Sequence, residues 1–236
     1  MEFFVGTSGY AFKDWKGPFY PAKFPDAEML GFYASRFPSV EINNTFYRMP
    51  REKHLLDWAA QVPDGFRFAI KASQRITHHA QLRDAGELVG YLAQTVAVMG
   101  PKLGPTLFQL PPFLKKDLPR LVGFLEILPK RWKVAIEFRH QSWFDDDQVV
   151  DALRAKDVAL CISDQDELTT PLVATASWGY VRLHRFDYDR DGLSHWARTL
   201  RALPWGEAFV YFKHDHSPGS GPPVAEALMT ELRATA

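Results

Sequence analysis

Short runs rich in β-branched and aromatic residues recur along the whole chain, separated by segments whose apolar positions repeat at helical spacing. The runs are Phe3 to Thr7, Val40 to Asn43, Phe66 to Lys71, Thr106 to Leu110, Lys133 to Phe138, Val158 to Ser163, Tyr180 to His184 and Phe209 to Lys213. Most starts lie about 20 to 40 residues apart, the length of a strand, a loop and a crossover helix, which is how parallel strands must be wired. Asp26 has the chemistry of an N-cap for a helix through Phe37, and Pro50 opens the next, with Leu55, Leu56 and Trp58 turned inward. Asp117 and Pro119 open another through Leu128, stopped by Pro129. After the sixth run the pattern weakens: Asp164 to Ser177 contains Thr169, Thr170 and Pro171 and leaves space for little more than a turn of helix. The expectation is an α/β fold, a (β/α)8 TIM-like barrel of parallel strands with a weak or short sixth helix, formed as one domain over 1–236. An open doubly wound sheet is the alternative.

Alternation within a barrel strand sends one set of side chains to the helices, where it must be apolar, and the other to the lumen. Val134, Ile136 and Phe138 are the helix-facing set of the fifth run, so Ala135, Glu137 and Arg139 face inward. The same argument points inward Glu41 and Asn43, Arg67 and Lys71, Gln109, Arg182 and His184, and Tyr211 and Lys213. Barrel lumens are normally filled with branched apolar residues. This one would hold two acids and five bases, and charges are rarely buried unless paired or used. Arg67 lies four residues before Lys71, about 13 Å along a strand, and belongs near the barrel floor.

The charge balance changes the picture only locally. Lys plus Arg and Asp plus Glu are both 28 among 236 residues, so no global field draws nucleic acid or membrane. An excess of inward cations predicts a local site for a phosphate or carboxylate, because arginine forks bind such groups and a water-poor cavity strengthens the attraction. A network of structural ion pairs is the alternative. The lone Cys161 excludes internal disulfides and multi-cysteine metal sites and fits a reducing cytosol, where it reads as core. The start lacks the basic region of a signal peptide and no run approaches a membrane span, so the expected location is cytoplasmic, away from membranes.

Six of eight histidines, His78, His79, His140, His184, His214 and His216, fall at or after the C-terminal end of a strand, where barrel active sites lie. Glu137, Asp164, His184, His214 and Asp215 are the residue types that could ligate a metal, but no ligand-spacing motif occurs and neighbouring cations oppose one. No cofactor is expected, and a divalent metal is not favoured. Gly6-Thr7-Ser8-Gly9 could turn backbone N–H groups toward an anion, without matching a nucleotide-binding or hydrolase motif. Aromatics gather at the expected mouth: Tyr10, Trp15, Phe46, Tyr47, Trp143, Phe144, Phe186 and Tyr188. Such rings can stack a sugar or base, or simply pack a loop layer.

These segments carry a resemblance along essentially the whole chain. Gly6-Thr7-Ser8-Gly9-Tyr10, Val40 to Tyr47, Phe66 to Lys71 with Ile76-Thr77-His78, Gln109-Leu110-Pro111-Pro112, Glu137-Phe138-Arg139-His140 with Ser142-Trp143, and Tyr180 to His184 together resemble the YecE-like family of bacterial and archaeal proteins. The resemblance implies a TIM barrel; it brings no established reaction and no catalytic residues. Tyr10, Arg185, Lys213 and His214 stand where relatives often carry tryptophan, glycine and two asparagines.

The functional expectation is an enzyme acting on a small anionic substrate, of sugar-phosphate type, at the C-terminal mouth. Glu137 and His184 form its acid–base pair, with Lys71 as a further catalytic residue. Glu41, Asn43, Gln109, Arg139, Arg182, Lys213, Tyr10, Tyr47 and Trp143 are the substrate-binding set. A nucleic-acid-binding or processing protein and a non-catalytic ligand-binding protein are the alternatives. Oligomeric state is left open.

Overall fold

The computed structural model describes residues 1–165, 168–185, 187–214 and 221–234. Nine strands are present among them: β1 (Glu2–Thr7), β2 (Ser39–Ile42), β3 (Arg67–Lys71), β4 (Leu103–Gln109), β5 (Val134–Glu137), β6 (Ala159–Gln165), β7 (Leu168–Thr169), β8 (Gly179–Leu183) and β9 (Glu207–Phe212). The helices are α1 (Met29–Ala34), α2 (Asn44–Tyr47), α3 (Glu52–Ala60), α4 (Gly86–Ala97), α5 (Leu118–Glu126), α6 (Asp147–Arg154), α7 (Arg190–Ala202) and α8 (Pro222–Ala234). The sheet runs β1-β9-β8-β6-β5-β4-β3-β2 with every neighbour parallel, and β7 is a short antiparallel addition to β6. This is an eight-strand parallel barrel of TIM type, nearly closed.

The remaining seam lies between β1 and β2, which share only the bridge Ser8–Glu41. A side chain completes it. The Tyr33 hydroxyl accepts from the Thr7 backbone N–H at 2.8 Å and donates to the Ser39 carbonyl at 3.1 Å, standing in for a missing ladder bond. The two strands approach so closely that a Cβ on Gly6 would lie 2.0 Å from the Ser39 oxygen, which only glycine avoids.

Alternation separates two apolar clusters. The larger holds the helix-facing residues, among them Val40, Ile70, Phe108, Ile136, Val181 and Val210, packed on Leu30, Leu55, Leu92, Leu121, Leu153 and Leu228 of the helices. The smaller is the lumen: Phe4 stacks on Phe209 at 4.8 Å, Trp178 packs edge-on against Phe209, and Ala69, Leu107, Ala135, Cys161, Tyr180 and Tyr211 share the same cluster. Arg67 is at the floor, its guanidinium 5.5 Å from the Phe4 ring and donating to the Asp64 and Phe66 carbonyls.

Several local expectations change. Asp26 caps nothing; its carboxylate takes Lys16 at 2.6 Å, and a 3-10 turn leads into α1 instead. Leu56 is exposed, while Leu55 is buried and Trp58 half-buried. Asp117 does cap α5, accepting from the Arg120 N–H at 3.1 Å. β4 begins earlier than its run, passing through Gly104 and Pro105 beside a register shift in β3. A bulge tolerates the missing proline N–H there. The connection after β6 holds no helix among the described residues: Asp164 and Gln165 pair with β7, and the Thr175 hydroxyl bonds the Leu160 N–H and Val158 carbonyl.

Candidate functional site

The inward ends of β2, β3, β4, β5 and β8 meet above the aromatic floor, because parallel strands of similar length bring the same position of each to one level. Glu41, Glu137 and Arg182 are 0 %, 1 % and 5 % exposed. Arg182 lies between the two carboxylates: its Nη1 donates to Glu137 at 2.6 Å, its Nη2 to Glu41 at 3.1 Å, and its Nε is 3.0 Å from the other Glu41 oxygen. Ser8 and Tyr180 donate their hydroxyls to Glu41 at 2.8 and 3.1 Å. Gln109 donates its amide to both Glu137 oxygens at 2.9 Å, while its carbonyl accepts from Lys71 Nζ at 2.8 Å. The result is one hydrogen-bonded chain across the lumen. Only an amide suits the Gln109 position, since one end meets a carboxylate and the other an ammonium.

The electrostatics follow from this wiring. Burial pushes the Glu137 pKa up, but Arg182, the Gln109 amide and Lys71 outweigh it and hold the carboxyl below its ordinary value. Arg182 is driven the other way by its two glutamates, burial notwithstanding, and stays charged. Burial, then Arg182, bring Lys71 down to about 8 against the opposing pull of Glu41 and Glu137. His184, burdened by burial and by Arg182, Lys213, Lys71 and Arg139, is held well below its ordinary value and is a neutral imidazole. Its Nε2 is 3.5 Å from the Ser8 hydroxyl, a marginal contact.

Glu41, Lys71, Gln109, Glu137 and Arg182 lie on the inward face to which alternation points them, but their partners divide them. Glu137, the expected acid–base partner of His184, accepts from Gln109 on both oxygens and from Arg182 on one. Asn43 donates to Glu41 at 3.4 Å and leaves its carbonyl oxygen buried without a partner among the described residues. Arg139 is half-buried just beyond β5, and Lys213 is exposed just beyond β9. With Arg67 at the floor and Lys213 exposed, Lys71, Arg139 and Arg182 are the cations beside the two glutamates, fewer than the five that alternation points inward.

The aromatic rim is thinner than expected. Trp143 is 1 % exposed, stacked on Phe138 at 4.5 Å and donating to the Leu114 carbonyl, so it closes the loop layer and does not face the opening. Tyr10 is half-buried against Tyr33, whereas Tyr47 is 75 % exposed. Phe46 covers Lys71 and meets His78 edge-on. Phe186, Asp215 and His216 lie outside the described residues.

Two other histidines make structural hydrogen bonds. His140 accepts from the Ser142 N–H to cap the turn Gln141–Trp143, and His214 accepts from the Trp15 indole at 3.0 Å. Asp164 accepts from Tyr188. No three His, Cys, Asp or Glu side chains among the described residues gather closely enough to hold a metal ion. Among the polar lumen residues that the sequence reading did not name are Tyr180, and Ser163, whose buried hydroxyl has no partner among the described residues. Extending the alternation through Ala159, Cys161 and Ser163 finds the second.

No helix of the described residues is long and apolar enough to cross a membrane. The barrel matches solved structures of DUF72 family proteins from Thermotoga maritima, with a TM-score of 0.86 at 24% identity over 100% of both chains, and from Enterococcus faecalis, with 0.82 at 18% over 98% of this chain and 95% of that one. In sequence it is 36% identical over 113 residues to UPF0759 protein YecE of Escherichia coli, a stretch covering 48% of this chain and only 42% of YecE. To UPF0759 protein YunF of Bacillus subtilis it is 26% identical over 231 residues, 90% of this chain and 78% of that protein. The family model described as "Protein of unknown function DUF72" matches residues 4–236, and the chain belongs to that family.

Proposed function

We propose that the C-terminal mouth binds a small phosphate- or carboxylate-bearing molecule and carries out acid–base chemistry on it. One observation supports this above the rest. Lys71 and Arg139 reach the mouth half-buried with no carboxylate within 4 Å among the described residues, while Glu41 and Glu137 are already taken up by Arg182 and its neighbours. A cation held partly out of water with no carboxylate in contact is a costly arrangement, relieved by an anionic ligand. Arg139 supplies the fork for the anion, His184 the neutral imidazole that accepts a proton, and Lys71 the second base. Glu137 is a positioning residue in this reading. The exposed Tyr47 ring favours one variant of it, in which the anion is the phosphate of a nucleotide whose base stacks at the rim.

The test is thermal unfolding with phosphate, sugar phosphates, small carboxylates and nucleotides at constant ionic strength, for wild type and Arg139→Ala. A ligand at a hundred times its Kd stabilises by about 2.7 kcal/mol. The reading expects at least one anion to do so in wild type and to lose the effect in the variant. Melting that no anion raises above matched chloride overturns it and leaves the polar lumen as a structural network.

A further inference from the structure

We propose that the Lys71 amine is a nucleophile that forms an imine with the carbonyl carbon of a small aldehyde or ketone bound at the mouth. The proposal rests on the anion-binding reading above for its substrate class: a carbonyl compound that also bears phosphate or carboxylate.

The geometry around Nζ carries it. Lys71 ends β3 at the mouth, half-buried and open to the lumen. Its hydrogen bond goes to a neutral amide oxygen, Gln109 Oε1 at 2.8 Å, and its other flank lies over the Phe46 ring at 4.4 Å. A lysine meant only to neutralise charge would contact a glutamate directly, and two stand nearby; instead Gln109 separates it from Glu137, and Arg182 occupies both carboxylates. Burial, with Arg182 and Arg139 opposing its charge, also brings the amine to about 8, so free base is present near neutrality. Two buried polar atoms on the same inward faces, Asn43 Oδ1 and Ser163 Oγ, have no partner among the described residues and suit hydroxyl groups on such a substrate.

The step is balanced without a redox partner. The amine lone pair attacks the carbonyl carbon, the C=O π pair moves to oxygen, and one proton passes from nitrogen to that oxygen through the neutral His184 imidazole, giving a carbinolamine. The nitrogen lone pair then forms C=N as the C–O bond breaks, and the second nitrogen proton passes by the same imidazole to the departing hydroxyl, which leaves as water.

Reductive trapping tests this. The full chain is incubated with pyruvate, dihydroxyacetone phosphate or uncharged dihydroxyacetone and sodium borohydride, and adducts are located by peptide mass mapping. The expected result is one adduct per chain on the Lys71 peptide, absent in Lys71→Met that melts cooperatively. Arg139→Ala should lower the yield at least tenfold for the two anionic probes and leave dihydroxyacetone unchanged. Adducts spread over exposed lysines, with Lys71 labelled no faster than they are, overturn the proposal even if anions still stabilise the fold through Arg139. Selective Lys71 labelling that ignores Arg139 with every probe supports the imine and removes the anion-binding reading instead.

Discussion

Replacing Glu137 with glutamine tests whether the buried charges hold the barrel together. The substitution keeps the shape of the side chain, so it opens no cavity. It removes one of the two counter-charges of Arg182, which is 5 % exposed, and turns one of the Gln109 contacts into an amide facing an amide. Removing one member of a buried pair costs about 3–5 kcal/mol, and because Glu41 still contacts Arg182 the lower figure, about 3 kcal/mol, is expected. In a chain of this length each kcal/mol lowers the melting temperature by roughly 2–4 °C, giving a drop of about 6–12 °C. Urea unfolding followed by the fluorescence of the seven tryptophans measures it directly. Arg36→Ala, which breaks an exposed pair with Glu226, is the control and should shift it little. The folded-state pKa of Glu137 is depressed, so its stabilisation is present above the unfolded carboxyl value near 4.5 and is lost as pH falls through the lower folded value. The gap between wild type and Glu137→Gln should therefore close in acid. A Glu137→Gln protein within about 1 kcal/mol of wild type at pH 7 would refute the reasoning.

Lys71→Met should be more stable than wild type at pH 7, by at most about 3 kcal/mol, because the native state holds the amine at about 8 against 10.5 unfolded and so disfavours its charge. That advantage should vanish as pH rises from about 8 to 10.5, and denaturant titrations at pH 7, 9 and 10.5 that show no such trend contradict the cause assigned to the shift. Tyr33→Phe should cost about 1–3 kcal/mol, since Thr7 N–H and Ser39 C=O lose their shared partner at the barrel seam. Hydrogen exchange at the Thr7 amide should accelerate selectively; unchanged exchange and stability would mean that the seam does not depend on the hydroxyl.

Much of this molecule is written in its local pattern. The period-two alternation in Lys133 to Phe138 was enough to send Val134 and Ile136 to the helices and Glu137 into the lumen, because a strand beneath a helical layer tolerates only apolar residues on that face. Four residues of rise placed Arg67 at the floor and Lys71 at the mouth for the same geometric reason. Caps were less legible: Asp117 and Asp26 have the same chemistry, yet Lys16, ten residues away, draws the second one off its helix.

Partnership was not legible at all. Alternation says that Glu41, Lys71, Gln109, Glu137 and Arg182 face inward, but which of them touch depends on the stagger between strands and on how the ring closes. That closure placed Arg182 between both glutamates and left Lys71 on an amide. It likewise decided that Trp143 packs under its loop while Tyr47 stays open, since exposure belongs to neighbours far away in sequence. The sequence by itself determined the barrel and the face on which each charge lies, because those follow from backbone periodicity and the cost of burying polarity. Only the tertiary structure decided which charges contact one another and which have no carboxylate beside them among the described residues, because Coulomb energy depends on distances that no single strand contains.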